Sequence, residues 1–445
     1  MACPRLFRMV HNAHRQFRRT SVETDGMGIS IGLVGLGKFG AAFAPLFKAH
    51  PAVDRIALCD LEPERIRTFS EDPFYGDKLA EKDIYLSLDD ICQAGLDALV
   101  VITQPWLHAP QCVQAMKAGM HVYSAVPISC VPDGDEILDW CDRITDTCRQ
   151  TGKHYMLGET TYYRPEAQFC RRMAAQGKFG DFVYAEGEYL HDVDAGCNLR
   201  SVSHHRSIGK AGQEWSRAAA TYRDKGILSG PMHYPTHSTS GPVCVMKAHA
   251  LEVTGYGWRN RTNDPYFKSY AFTNEFALFR MSNGSTVRIA ETREAAGILG
   301  GDSETFRIMG TTGSFSENRW FEANRPADLA HIDYENLPKP TGRKVEKSEM
   351  FEPFPPEVTE AFKRAVYRDL SEDEIQNRDF HPGGHGGSHP YLVHEFCDAI
   401  ASGRSPVINA WEAARYMVMG VMGHKSALRD GETLACPDWG DAPEG

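Results

Sequence analysis

Apolar and polar positions alternate along the chain in two regimes. In the first, short apolar runs of strand length are separated by helical patterns. Residues 29–34 form an apolar strand, and a helix over 41–50 ends at Pro51. A second strand covers 56–59, with a helical segment over 62–70. Residues 96–102 are a continuous apolar run, as a parallel strand buried on both faces requires. A helix over 109–118, stopped by Gly119, leads to a short strand at 121–124. From about residue 151 the pattern changes. A strand at 154–157 precedes a helix over 165–176, with Pro165 in its first turn, where its missing N–H costs nothing. Alternation over 182–191 puts Tyr189 and His191 on one face of a strand. Strands over 251–258, 270–280 and 286–291 predict a wide, largely antiparallel sheet. The polar, Pro-rich stretch 324–356 reads as a surface excursion or arm. An amphipathic helix over 392–401 and a long helix within 406–430, broken or bent near Gly420 and Gly423, close the chain.

The turn after the first strand carries Gly35, Gly37, Lys38, Phe39 and Gly40, and the second strand ends at Asp60. Gly35 permits a tight turn, Gly37 lets backbone approach a pyrophosphate, and Gly40 lets helix and strand pack closely. The helix N-terminus offers unpaired N–H groups and partial positive charge. Asp60 accepts from ribose hydroxyls and repels a 2′-phosphate, so the expected cofactor is NAD. Open sheets present ligand-contacting loops at the carboxyl ends of their strands. That places Thr103, Gln104, Pro105 and Trp106 beside the cofactor, with interdomain packing as the other reading of Trp106. His108 joins the cofactor-side candidates, a structural hydrogen bond at the helix start being its alternative. The expected fold is α/β: an N-terminal Rossmann domain with a parallel sheet (27–150), then a C-terminal α/β substrate and oligomerisation domain with a large, mostly antiparallel open sheet (151–445).

With 445 residues the chain is long enough for two cores, and 42% hydrophobic content is that of an ordinary globular protein. A net charge of −11 argues against nucleic acid or anionic membrane as a partner. The 12 cysteines show no CxxC spacing and read as reduced thiols of a cytoplasmic protein. Residues 1–26 carry Arg5, Arg8, Arg15, Arg18 and Arg19 without an apolar core, which makes a poor secretory signal and suggests a flexible basic extension. No run is long enough to span a bilayer.

The densest chemistry lies in 230–242, where His233 and His237, at i and i+4, flank Tyr234. A third ligand and the HExxH acid are missing, so no metal is expected. Imidazole suits acid/base work near neutrality, and a phenol donates to an oxygen that develops charge. A core role is the alternative for either histidine alone. The glycine-rich 381–391 segment places His385 in a wall or lid over the substrate, or in an intersubunit or interdomain turn. Tyr163, Arg164 and Arg223 flank these segments and are candidate substrate contacts.

The glycine fingerprint, Thr103-Gln104-Pro105-Trp106 and the domain order resemble the Gfo/Idh/MocA family of NAD(P)-dependent sugar enzymes. Family dehydrogenases carry Glu-Lys-Pro at the end of the fifth strand, where this chain has Ala125-Val126-Pro127. Three segments are similar to a narrower branch, the NAD-dependent glycoside hydrolase family 109: 184–192, Tyr234-Pro235-Thr236-His237 and the glycine loop 383–387. That branch continues Thr-His with Gly-Leu-Gly-Pro and follows the glycine loop with Met-Asp. Here Ser238-Thr239-Ser240-Gly241-Pro242 and Ser388-His389 stand instead. The resemblance implies that Tyr189, His191, Tyr234 and His237 surround a sugar, with His385 nearby and homo-oligomers (dimer, tetramer or hexamer) formed through the sheet. It implies glycoside cleavage by transient oxidation at C3, loss of the C2 proton, elimination, water addition and re-reduction. Here His237, or an imidazole assisted by Tyr234, serves the C3 hydroxyl, and Tyr189, His191 or His233 serves C2. The alternative is net dehydrogenation of a sugar, sugar acid or cyclic polyol. A nonenzymatic NAD-binding regulator is a third reading.

Overall fold

The computed structural model describes residues 28–195, 198–296, 304–323, 330–337, 339 and 341–443, so the basic stretch 1–26 lies outside the described residues. Six parallel strands form the first sheet: β1 (Ile29–Val34), β2 (Val53–Cys59), β3 (Ile84–Tyr85), β4 (Ala98–Val101), β5 (His121–Ser124) and β6 (Tyr155–Leu157). Their order, β3-β2-β1-β4-β5-β6, reverses direction between β1 and β4. At such a switch point the loops leaving adjacent strands diverge and open a crevice. β6, which the sequence pattern assigns to the second domain, pairs with β5 and completes this sheet.

The second sheet has nine strands: β7 (Phe182–Leu190), β8 (Ala250–Trp258), β9 (Asn274–Met281), β10 (Thr286–Thr292), β11 (Glu304–Gly310), β12 (Gly313–Ser316), β13 (Arg319–Glu322), β14 (Thr341–Lys344) and β15 (Leu434–Ala435). They run in the order β14-β13-β12-β11-β7-β10-β9-β8-β15. β7 and β10 pair in parallel, and their other neighbours are antiparallel. The helix Thr236–Met246 lies against β7 and is buried along its whole length. Outward positions of β8 and β9 leave Tyr256, Trp258, Phe276 and Leu278 exposed.

The C-terminal helix, Ala410–Leu428, is continuous through Gly420 and Gly423 rather than broken there. These glycines are required by packing: a Cβ on Gly420 would stand 2.1 Å from the Met232 carbonyl oxygen. Two further helices, Leu199–Ile208 and Lys210–Asp224, form a hairpin that hydrophobic periodicity does not predict. The first buries no residue and the second only Gly212. Point contacts hold it: Trp215 stacks on Trp106 (4.8 Å, 11°), Arg200 pairs with Asp194 and Asp264, and the Tyr222 hydroxyl donates to Glu136.

Candidate active site

Beyond β1, the glycine turn is shaped for a dinucleotide. A Cβ on Gly40 would lie 2.0 Å from the Gly35 carbonyl oxygen, whereas one on Gly37 would meet no protein atom within 4 Å. The helix Lys38–Ala49 has neither a side-chain cap nor an acid in its first turn. Its N–H groups therefore face open space, an arrangement that fits a pyrophosphate. Asp60 is buried and already accepts from Leu36 N (2.7 Å) and Glu62 N (2.9 Å), with Arg65 at 3.4 Å. It shapes the turn, and the second lone pairs of its carboxylate stay available to a ribose hydroxyl.

On the β4 side, the Thr103 hydroxyl donates to Gln111, and the buried Gln104 Oε1 has no hydrogen-bond partner. Pro105 accepts from Cys130 N through its carbonyl, and Trp106 is occupied by its stack on Trp215. His108 is buried, with Nδ1 2.9 Å from the Pro127 carbonyl and Nε2 3.4 Å from that of Thr103. Burial pulls its pKa down to about 4. It braces the two loops and offers neither nitrogen to a ligand.

Five residues anticipated from sequence converge above this crevice. The His237 ring lies 5.2 Å from Tyr189, 5.6 Å from Tyr234 and 6.4 Å from His385. The Tyr189 hydroxyl is 2.7 Å from His191 Nδ1, the shared face that alternation on β7 predicts. Two contacts join the cluster to the nucleotide-binding side. Tyr234 donates from its hydroxyl to the Val126 carbonyl (3.2 Å), and His385 meets Phe39 of the glycine turn edge to face at 5.5 Å.

Charge in the cluster is set by carboxylates the sequence reading did not single out. His237 Nδ1 is 2.9 Å from Glu159 Oε1, which also accepts from Thr161 N. Burial opposes a charge on His237, but Glu159 and Glu304 outweigh it and raise the imidazole to about 9. His237 at neutral pH is therefore an imidazolium whose Nδ1–H points at Glu159. Burial likewise opposes the Glu159 charge, and His237 reverses the effect, holding the carboxyl below its usual range. His191 goes the other way: burial, then Arg293, lower it to about 4. Arg164 pairs with Glu304 (2.9 Å) and donates to its backbone carbonyl. Glu159 lies just past β6, at the carboxyl end of a parallel strand. The rule that singles out Thr103 would have found it too. Glu304 and Arg293 had no such signal, because they meet the cluster only through sheet pairing.

Three expected residues stand apart. His233 and His237 do not share a helical face: a 3₁₀ turn covers Pro231–His233, and the α-helix begins only at Thr236. Pro235 disfavours helical geometry at Tyr234, which breaks the i, i+4 relation. His233 is buried against His424 at 4.4 Å, beside the His424–Glu275 pair. Tyr163 stacks on Tyr391 and lines a separate cavity of about 550 Å³ with Tyr162, Arg171 and Phe354. Arg223 lies on the surface hairpin and donates to Ser269. Among the described residues, no group of three or more metal-ligating side chains is arranged to hold an ion.

Residues 29–159 match the family model described as "Oxidoreductase family, NAD-binding Rossmann fold" (Gfo/Idh/MocA). That segment is similar to the NAD-binding domain of the Gfo/Idh/MocA oxidoreductases. Across 95% of its length the chain is 25% identical to a "Glycosyl hydrolase family 109 protein" of Stenotrophomonas maltophilia, covering 91% of that protein. It is 25% identical to an "Alpha-N-acetylgalactosaminidase" of Tannerella forsythia, over 76% of this chain and 70% of the relative. The fold is that of scyllo-inositol dehydrogenase from Lactobacillus casei, solved with NAD(H) and scyllo-inositol: TM-score 0.59, 15% identity, covering 92% of this chain and 99% of that one. The likeness of fold thus extends through the second sheet.

Proposed function

We propose that this chain is an NAD-dependent carbohydrate enzyme that cleaves a glycoside through transient oxidation at C3. The observation that carries the reading is the convergence of His237–Glu159, Tyr189–His191, Tyr234 and His385 beside the glycine turn. The family 109 names of the relatives that span most of the chain support it. NAD, when bound, supplies a hydride acceptor that later returns the hydride to the same carbon.

The chain's own groups handle protons. The neutral form of His237, a minority near pH 7 that grows as pH approaches about 9, takes the C3 hydroxyl proton. Held as imidazolium by Glu159, it then donates a hydrogen bond to the C3 oxygen when negative charge builds there. Tyr189 passes its hydroxyl proton to His191 Nδ1 as its oxygen removes the C2 proton, and elimination expels the C1 substituent. Water adds to the unsaturated intermediate, and the same groups return their protons. Tyr234, tied to the Val126 carbonyl, holds the sugar ring in register with the crevice.

The NAD-loaded enzyme, incubated with a panel of glycosides in D2O, tests this. Hydrolysis with deuterium at C2 and no accumulated NADH is expected. Stoichiometric NADH with an oxidised sugar overturns it and supports the alternative, net dehydrogenation of a sugar, sugar acid or cyclic polyol. The fold shared with inositol dehydrogenases supports that alternative, while Val126, in place of the family lysine, weighs against it. The exposed Tyr256, Trp258, Phe276 and Leu278 suit self-association through the open sheet. Light scattering on a Leu278→Asp variant checks this, with a smaller assembly expected. The unpaired state of the described cysteines suits a reducing, cytoplasmic compartment.

A further inference from the structure

Behind Tyr189 lies a buried polar chain with no part in the proton transfers above. Arg293 is 5% exposed, and its guanidinium carbon sits 4.6 Å from the centre of the Tyr189 ring. Its Nη2 is 3.0 Å from Glu291 Oε2, and its Nη1 donates to the Thr292 carbonyl at 2.8 Å. Glu291 has no exposed surface, and its other oxygen accepts from the Ser238 hydroxyl at 2.5 Å. Ser238 follows His237 directly. The chain therefore runs from the segment that presents His237, through Ser238, Glu291 and Arg293, to the underside of Tyr189.

A neutral core would have satisfied packing here at lower cost, because desolvating an ion pair is expensive. A guanidinium over a phenol face is attracted to the ring, and the attraction grows if the phenol loses its proton. We propose that Arg293 is a positioning residue that stabilises negative charge on Tyr189 during proton removal from the substrate, with Glu291, fixed by Ser238, setting how much of the arginine's charge Tyr189 feels. The other groups facing Tyr189 are His191 on its hydroxyl, the His237 ring, Tyr234 and the Glu304 carboxylate. Burial pushes the Tyr189 phenol up, and Arg293 is the strongest influence opposing that rise. Burial also raises Glu291 to about 7, so its charge balance with Arg293 lies within the working pH range.

This inference uses the role given to Tyr189 above, but its test does not depend on that reaction. Tyr189→3,5-difluorotyrosine gives a single fluorine probe, whose titration is followed by 19F NMR in the NAD-loaded protein without substrate. In an Arg293→Met background the midpoint is expected to rise by about one pH unit, and in Glu291→Gln to fall by about one, since an opposite charge at this range acts on that scale. Arg293→Lys restores most of the loss. A merely structural role moves both variants in the same direction, towards the value of an exposed phenol. Equal midpoints in all three proteins, or shifts of one sign, overturn the proposal. If Arg293→Met does not fold, Glu291→Gln, which keeps the shape of the site, decides it alone. A glycoside panel without C2 exchange refutes the glycosidase reading and leaves this titration standing.

Discussion

Replacing Glu159 with Gln removes the charge that holds His237 protonated while keeping a hydrogen-bond acceptor at the same place. His237 is raised from 6.5 to about 9 although burial pushes the other way. That rise corresponds to about 3 kcal/mol in favour of the imidazolium, at about 1.4 kcal/mol per pH unit. In Glu159→Gln, burial and Arg164 act against Glu304 alone, and the imidazole is expected to titrate at or below 6.5. A histidine whose folded pKa exceeds its unfolded value contributes stability in full below the unfolded pKa, and that contribution is lost as pH rises through the folded one. The stability gap between wild type and variant should therefore be widest near pH 6 and close as pH approaches about 9. Histidine Cε1 NMR titration of the NAD-loaded protein gives the first quantity, and thermal melting across pH 6–9.5 gives the second. A His237 midpoint unchanged within half a unit, or a gap that widens with pH, would refute the account of the dyad.

With His237 in the proposed role of base for the hydroxyl proton, the rate of NADH formation in a single turnover should rise with pH and level off near 9; a flat profile would remove His237 from that step. Gly37→Ala should leave the melting temperature unchanged and weaken NAD binding about tenfold, whereas Gly40→Ala, driven against the Gly35 carbonyl, should destabilise the fold itself. Calorimetric titration with NAD beside a melting curve separates the two. Tyr234→Phe loses the bond to Val126, about 1 kcal/mol, and should raise KM about fivefold with NAD affinity unchanged. Trp215→Ala removes a stacked pair worth about 1 kcal/mol and should speed proteolysis within 199–224 without lowering the global melting point.

Much of the architecture was legible because burial leaves periodic traces. β4 is apolar on both faces, β7 alternates, and the glycine turn declares itself by spacing. The paired helices at 199–224 left no trace, since they bury almost nothing and are held by a few side chains. Within the cleft, Tyr189 and His191 followed from strand alternation alone. His233 failed because Pro235 interrupts the helix that would have aligned it with His237, a local rule that outranks the i, i+4 spacing. Tyr163 follows β6 closely, yet it turns towards Tyr391 and away from the cleft. The residues that set charge, Glu304, Glu291 and Arg293, lie on or just after β10 and β11, about a hundred positions from Tyr189 on β7, and only pairing within the sheet brings them to it.

The bond between Tyr234 and the Val126 carbonyl also bears on how this chemistry and that of a lysine-bearing dehydrogenase are separated. A lysine introduced at 126 would replace a buried side chain next to the carbonyl that holds the phenol, and burial disfavours its charge. It would shed its proton there and function as an uncharged amine. Val126→Lys alone is therefore expected not to install a working ammonium, and laboratory selection for net oxidation should need further changes around the phenol at 234.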